Sequence, residues 1–349
     1  MGENKSAVII DTVSKHFKGA EQLALETISA QINFGQITGL VGPDGAGKTT
    51  LMRLICGLLL PLHGKISVNG LDTQIAPEEI HAITGYMPQK FGLYEDLTVI
   101  ENLRLYADLR NVLGEKRKNQ FKKLLQFTAL ESFQLRLAGN LSGGMKQKLG
   151  LACALIGEPK LLLLDEPSVG VDPISRRELW KMVQGLLHDG MAVVWSTAYL
   201  DEAEKCDRIL LLNQGKNLYY GKPSEFLQRM AGRTFQICEV HAQQRRAVLR
   251  ASQNNSQIID AVIQGKNIRV VLGQDKRKPL LRDLNLESEA HWQAVAPRFE
   301  DAFMDVLGGG GRGDSLLAAH IADKPETEQP IIEAKGLTKC FGDFTAVLN

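Results

Sequence analysis

The sequence predicts an α/β protein carrying a small α+β appendage, and three observations predict it. Short apolar runs alternate with helical patterns up to about residue 230, the rhythm of strands and helices in an α/β core. The run "ITGLV" at residues 37–41 is continuously apolar, as in a strand buried on both faces of a parallel sheet. From about Thr234 the pattern changes to "TFQICEVH", "SQIIDAVIQG" and "NIRVVLG", closed by "APRFEDAFMDVL". A length of 349 residues suits two domains, one large and one small. The chain is 44% hydrophobic and 23% charged, ordinary for a globular protein that buries a core. Its formal net charge of +1 supplies no global drive toward nucleic acid or an anionic membrane.

The elements follow in order. "AVIIDTV" and "ETISAQINF" are strands, the second alternating with period two at Ile28, Ala30, Ile32 and Phe34. "ITGLV" leads into a glycine-rich turn and the helix "TTLMRLICGL". Further strands are "KISVN", "TGYMP", "KLLLLD", "MAVVWST" and "RILLLN". Between "TGYMP" and "KLLLLD" there is no strong strand signal, so residues from about 90 to 157 form a helical subdomain inserted into a domain spanning 1–230. Residues 231–307 form the α+β appendage, with "SQIIDAVIQG" readable as helix or strand. Between His241 and Asp283 nine Lys/Arg stand against three Asp/Glu. No aromatics are interleaved as a stacking platform for nucleic acid requires, so these charges are expected to form a solvated basic face.

Residues 308–329 have linker composition, glycine first and Pro and acids later. The following "IIEAKGLTKCFGDFTAVLN" resembles the chain's own "VIIDTVSKHFKGAEQLAL", with Phe341 falling where Phe17 falls, two residues after a lysine. Residues 330–349 are therefore expected to begin a second copy of the first domain, stopping short of its chemistry. No two of the five cysteines are close enough for a C-x-x-C, which predicts buried, reduced thiols. No apolar run approaches the ~18 residues of a membrane helix, and no signal peptide is visible. "MGENKS" at the start and "RGDS" at Arg312–Ser315 match short modification and adhesion patterns, and both are read as coincidence.

Chemistry concentrates in three motifs. "GPDGAGKTT" fits G-x-x-x-x-G-K-[ST] between a buried strand and a helix, the context that motif needs. Gly42, Asp44, Gly45, Ala46, Gly47 and Thr50 would supply a cradle of backbone N–H groups for phosphate oxygens, reinforced by the helix N-terminus. Lys48 would neutralise the β- and γ-phosphates and Thr49 would ligate Mg²⁺. "LLLLDEP" ends in two carboxylates at the C-terminal edge of a strand, where open α/β sheets place ligands. Asp165 would hold Mg²⁺, and Glu166 would polarise the attacking water as general base. "LSGGMKQKLGLACAL" places Ser142, Gly143 and Gly144 at a second phosphate-binding helix terminus. One ATP does not need two cradles in one domain, so this one is expected to serve a nucleotide held by another domain.

With these motifs in this order, residues 5–230 resemble the ATP-binding-cassette family, whose signature is LSGG. The resemblance implies a P-loop NTPase cassette: a mixed sheet core, an antiparallel β subdomain and an inserted helical subdomain. It implies that Phe17 stacks on adenine, that Gln89 in "YMPQKFGLYEDLTVIENL" senses Mg²⁺ and water, and that Asp172 in "SVGVDP" lies on the loop crossing to a partner cassette. It also implies head-to-tail pairing, with each ATP held between one P-loop and the opposite signature. The "P-x-x-E-D-x-F" pattern at Pro297–Phe303 is similar to drug- or sodium-efflux ATPase subunits. That likeness implies integral membrane permease subunits and a second cassette of the same chain as partners, no nucleic acid, and a peripheral place on the cytoplasmic face of the inner membrane. The stretch Phe91–Val99 is where such cassettes receive a permease helix.

The family resemblance also makes one residue conspicuous. In "VVWSTAYLDEAEKCDRI" the position after Ser-Thr, which in the family is the switch histidine touching the γ-phosphate, is Ala198. The nearest histidine, His188, precedes the strand. The site is therefore expected to bind ATP and hydrolyse it slowly, unless a water or a partner group fills the gap. Two other functions stay open. One is a cassette protein acting on ribosomes or DNA, which usually carries a long, highly charged helical linker unlike the glycine-rich one here. The other is a regulatory ATP-binding half, which Ala198 favours and Glu166 and Gln89 oppose.

Overall fold

The structure is a computed structural model, and it describes residues 6–90, 92–286, 289–309 and 333–347. The first five residues of "MGENKS", Phe91, the "RGDS" motif and the linker beyond Gly309 lie outside the described residues. The chain forms two compact units, residues 1–310 and 311–349.

In the first unit the elements run β1 (Ser6–Lys15), β2 (Leu25–Asn33), β3 (Ile37–Val41), α1 (Lys48–Ile55), β4 (His63–Val68), β5 (Leu71–Asp72), α2 (Pro77–Ile83) and β6 (Thr84–Met87). Helices α3 (Val99–Leu109), α4 (Gly114–Thr128) and α5 (Gly143–Leu155) follow, then β7 (Leu161–Leu164), α6 (Pro173–Leu186), β8 (Ala192–Thr197) and α7 (Leu200–Ala203). Next come β9 (Arg208–Asn213), β10 (Lys216–Gly221), α8 (Pro223–Gln228), β11 (Thr234–Cys238), α9 (Arg245–Gln253) and β12 (Ile258–Gln264). The unit closes with β13 (Asn267–Leu272), β14 (His291–Ala294) and α10 (Phe299–Leu307).

Ten strands form one sheet in the order β5-β4-β1-β2-β10-β9-β3-β8-β7-β6. Strands β9, β3, β8, β7 and β6 are mutually parallel, whereas β4, β1 and β2 pair antiparallel. The two halves bury themselves differently, and the residues show why. All five residues of β3 and all four of β7 are buried, because helices cover both faces of a parallel sheet. In β2, Ile28, Ala30 and Ile32 are buried while Thr27, Ser29 and Gln31 are exposed, so one face meets the core and the other meets water. Helix α1 stops at Ile55 rather than at Leu58, because Gly57 turns left-handed at φ 72°.

Helices α3, α4 and α5 have their own core, built on Leu103, Phe121, Leu149 and Ile156. Helix α3 starts at a capping box, with Thr98 and Glu101 satisfying each other's backbone N–H groups. The two short strands β5 and β10 had no sequence signal: the first is two residues long, and "KNLYYG" is bounded by no apolar alternation.

The appended segment forms a four-stranded antiparallel sheet, β12-β13-β11-β14, with its own core around Ile237, Val248, Ile268 and Leu284. "SQIIDAVIQG" resolves as strand β12. Helix α9 was not anticipated; its sequence "RRAVLRASQ" buries only Val248 and Ser252, too little for a visible apolar period. Phe299 and Ala302 of α10 join Phe226, Met230 and Ala203 in a core shared with the large sheet. The basic face is not uniformly solvated. Arg269 is buried and forms a bidentate pair with Asp301, at 2.9 Å to Oδ1 and 2.6 Å to Oδ2. Arg233, outside that stretch, is also buried, against Asp305. Asp301→Ala, which would leave the Arg269 charge buried and unpaired, is expected to lower stability by about 3–5 kcal/mol, measured by denaturant unfolding.

Four cysteines are buried, as expected, but Cys340 is exposed. It lies in the second unit, on the hairpin of β15 (Lys339–Phe341) and β16 (Phe344–Val347). No helix among the described residues is long and apolar enough to cross a membrane.

Candidate functional site: a phosphate cradle with two carboxylates

Strands β3, β7 and β8 end side by side, and their parallel register brings the predicted motifs together. Strand β8 lies between the other two: its Thr197 pairs with Val41 of β3, and its Trp195 pairs with Leu164 of β7. The chain therefore leaves all three strands at one sheet edge, where Gly42–Thr50, Asp165–Glu166 and Ser196–Ala198 meet.

A cleft of about 250 Å³ opens there, lined by Ala24, Asp44–Thr50, Gln89 and Glu166. The cradle depends on glycine at Gly47, where φ is 105° and an added Cβ would lie 2.7 Å from the Ala24 carbonyl oxygen. Lys48, the first residue of α1, is buried. Its ammonium donates to the carbonyls of Gly42 (2.8 Å) and Pro43 (3.1 Å) and pairs with Glu166 Oε1 at 3.0 Å. Gln89 Nε2 donates to the other Glu166 oxygen at 2.8 Å. Thr49 Oγ1 donates to Asp165 Oδ2 at 2.8 Å, and Ser196 Oγ donates to Asp165 Oδ1 at the same distance.

Glu166 sits in a left-handed backbone conformation, φ 51°, which costs a non-glycine residue on the order of 1 kcal/mol or more. Its own N–H is held by Ser196 Oγ at 3.0 Å. Burial, then the charge of Asp165, pushes the Tyr86 phenol up to about 12, so it stays protonated and donates to Asp165 Oδ2 at 3.4 Å. Tyr86 and Ser196 were not singled out in the sequence. Only their neighbours in "TGYMP" and "MAVVWST" carried a signal, and that signal was for strand.

The donor set suits Mg²⁺. A threonine hydroxyl and one carboxylate lie together beside the cradle, and Mg²⁺ is usually held by one or two carboxylates plus substrate phosphates rather than by an all-protein cage. Among the described residues no group of three or more His, Cys, Asp or Glu is placed to hold a metal ion.

Other predicted residues lie elsewhere. Phe17, Ser142, Gly143, Gly144 and Asp172 are not in the cleft lining. Ser142 N-caps α5, its Oγ accepting from Met145 N at 3.3 Å. Gly144 allows close packing on α6: a Cβ there would sit 2.5 Å from Ser175 Oγ. Asp172 N-caps α6 through Ile174 N and Ser175 N, both 3.0 Å. The Ser175 side chain and these backbone donors hold its carboxyl below the usual range. Phe17 is 41% exposed, with the Lys15 ammonium 5.3 Å from its ring centre. Ala198 is exposed at the C-terminal end of β8, whereas His188 precedes the strand's other end. Six residues at ~3.3 Å each separate the two ends, so His188 cannot serve the cleft.

A nucleotide-binding cassette is the class of protein that this fold and this cleft define, and the chain belongs to the ABC transporter family of ATP-binding proteins. The family described as ABC transporter matches residues 25–169. The chain is 52% identical over 344 residues to "Probable multidrug ABC transporter ATP-binding protein YbhF" of Escherichia coli (strain K12), covering 98% of this chain and 59% of that protein. It is 36% identical over 230 residues to "Nod factor export ATP-binding protein I" of Rhizobium sp. (strain N33), covering 66% of this chain and 75% of that one. Among solved structures, an ATP-binding subunit of an ABC transporter superposes with a TM-score of 0.59 at 30% identity, over 65% of this chain and 94% of that one. The cassette MJ0796, in a dimeric post-hydrolysis state with ADP and Pi, superposes with a TM-score of 0.57 at 28% identity, over 62% of this chain and 98% of that one. The chain thus spans 59% of the length of the YbhF relative.

Proposed function

We propose that this chain binds Mg-ATP in the cleft around Lys48 and hydrolyses it slowly to drive an ABC-type exporter. The carrying observation is the single network that joins Lys48, Gln89 and Glu166 beside the Thr49–Asp165 pair. Phosphate oxygens brought to the cradle compete with Glu166 for the Lys48 ammonium. Glu166, once displaced, keeps its position through the Ser196–Glu166 N–H bond and faces the end of the phosphate chain as general base. Mg²⁺, held by Thr49 and Asp165, would neutralise phosphate charge when bound. Gln89, anchored on Glu166, orients the attacking water.

Phe17 provides the adenine platform. Phe17→Ala is expected to weaken Mg-ATP binding by up to about tenfold, the worth of one aromatic stack, read by calorimetry. Residues 1–230 act as the cassette and 231–307 as its appended domain. Ser142–Gly144 and Asp172 lie away from this cleft, which supports their serving a nucleotide across a partner cassette, here a second cassette of the same chain. The relatives named for multidrug and Nod-factor export support integral permease subunits as partners and a peripheral place at the cytoplasmic membrane face. Co-purification with an integral membrane protein tests that reading; co-purification with ribosomes would overturn it. The exposed Ala198 favours a second reading, a regulatory half that binds ATP with little hydrolysis.

A further inference from the structure

Glu202 belongs to none of the motifs above, yet its buried carboxylate is among the most heavily bonded groups in the protein. Glu202 Oε2 accepts from Thr197 Oγ1 at 2.7 Å, Trp195 Nε1 at 3.0 Å and Ser168 Oγ at 3.0 Å. Its Oε1 pairs with Arg176 Nε at 3.3 Å. These partners come from three places: the end of β8, the loop that follows Glu166, and the first turns of α6. Arg176 is itself held from outside by Asp201 at 2.9 Å and by the Tyr199 ring, 4.5 Å from its guanidinium carbon.

Resting on the ATPase reading above, we propose that Glu202 is a positioning residue of the nucleotide site. It acts through β8. By holding Trp195 and Thr197 it sets Ser196 between them, and Ser196 Oγ is the one atom that bonds both Asp165 and the N–H of Glu166. By holding Ser168 it fixes the other end of the same strained turn, two residues past the left-handed Glu166. A left-handed glutamate persists only where its surroundings over-determine it, and Glu202 supplies constraints on both sides. The carboxylate also reaches the phosphate cradle, because the Thr197 carbonyl accepts from Gly42 N at 3.3 Å.

The helix that carries Glu202 cannot place it alone. Helix α7 has four residues, too few to be stable by itself. It is held by its own buried Ala203, which shares a core with Phe226, Phe299 and Ala302. The appended segment therefore backs the residue that positions the site, through α10 rather than through any contact with the cleft.

The test compares the parent chain with Glu202→Gln, Arg176→Gln and the double variant. In Glu202→Gln the amide oxygen can take the place of Oε2, but its NH₂ then opposes the Arg176 donor. Replacing Arg176 with glutamine restores an acceptor there. Glu202→Gln is expected to bind Mg-ATP within about twofold of the parent by calorimetry, since no Glu202 atom lines the cleft. Its single-turnover hydrolysis is expected to fall about tenfold or more, and the double variant to recover most of that loss, the sign of a coupled pair. Amide hydrogen exchange at residues 166–170 and 196–199, and at Gly42 whose N–H bonds the Thr197 carbonyl, is expected to speed up in Glu202→Gln, with residues 44–50 unchanged. Unchanged exchange at both turns would overturn the proposal, as would an affinity that falls in step with the rate. If the parent hydrolyses no more ATP than a Lys48→Ala chain, the ATPase reading fails, and the exchange and affinity arms still decide the role of Glu202.

Discussion

Lys48→Ala is expected to abolish Mg-ATP binding, with affinity lowered by at least ~10²-fold. The ammonium is the one cation among the cleft-lining residues, and it is already aimed there by the Gly42 and Pro43 carbonyls. A hydrogen bond to a charged group contributes about 1.5–3 kcal/mol, and two such bonds to phosphate oxygens account for two orders of magnitude or more. The variant also leaves Glu166 buried without its cation, so the carboxylate repels the phosphates that Lys48 would have attracted. Calorimetry of Mg-ATP binding reads the effect, and circular dichroism of the same sample separates it from unfolding. Unchanged affinity in a folded Lys48→Ala chain would overturn the assignment of the cradle.

Most of this site was legible in the sequence because its parts are local. The glycine spacing of "GPDGAGKTT" needs only a strand before it and a helix after it, and "LLLLDEP" carries its carboxylates at the end of its own strand. Tertiary assembly of the site was not legible. Ser196 and Tyr86 reach Asp165 only because β6, β7 and β8 are adjacent in the sheet, and strand order leaves no trace in local periodicity. The same holds for Glu202, whose partners lie between Ser168 and Thr197 at spacings that follow no helical or strand repeat. In the fold, long apolar strands were readable. Helix α9, with one buried aliphatic residue, and the two-residue β5 were not, because each is held by what it packs on.

Ala198 carries the second large effect. On the proposed reading, position 198 is where an imidazole would face the end of the phosphate chain, and here it carries a methyl group; Lys48, Gln89 and Glu166 are joined to the Thr49–Asp165 pair through Ser196. Thr197 Oγ1 accepts from the Tyr199 N–H at 2.9 Å and donates to Glu202, so the turn that holds position 198 is fixed at both sides. One pre-organised donor to developing transition-state charge contributes ~10²–10³ in rate. Ala198→His should recover a large part of that factor in k for hydrolysis while changing Mg-ATP affinity little. Position 198 is exposed, so the larger side chain has room, and a stability change within ~0.5 kcal/mol is expected.

The most direct measurement is single-turnover ATP hydrolysis by the longer chain proposed above to carry a second cassette, with that cassette's catalytic glutamate replaced by glutamine, comparing alanine and histidine at residue 198. The account predicts slow turnover in the parent and a gain approaching ~10²–10³ in Ala198→His, abolished again by Glu166→Gln. Equal rates for the two chains would contradict it.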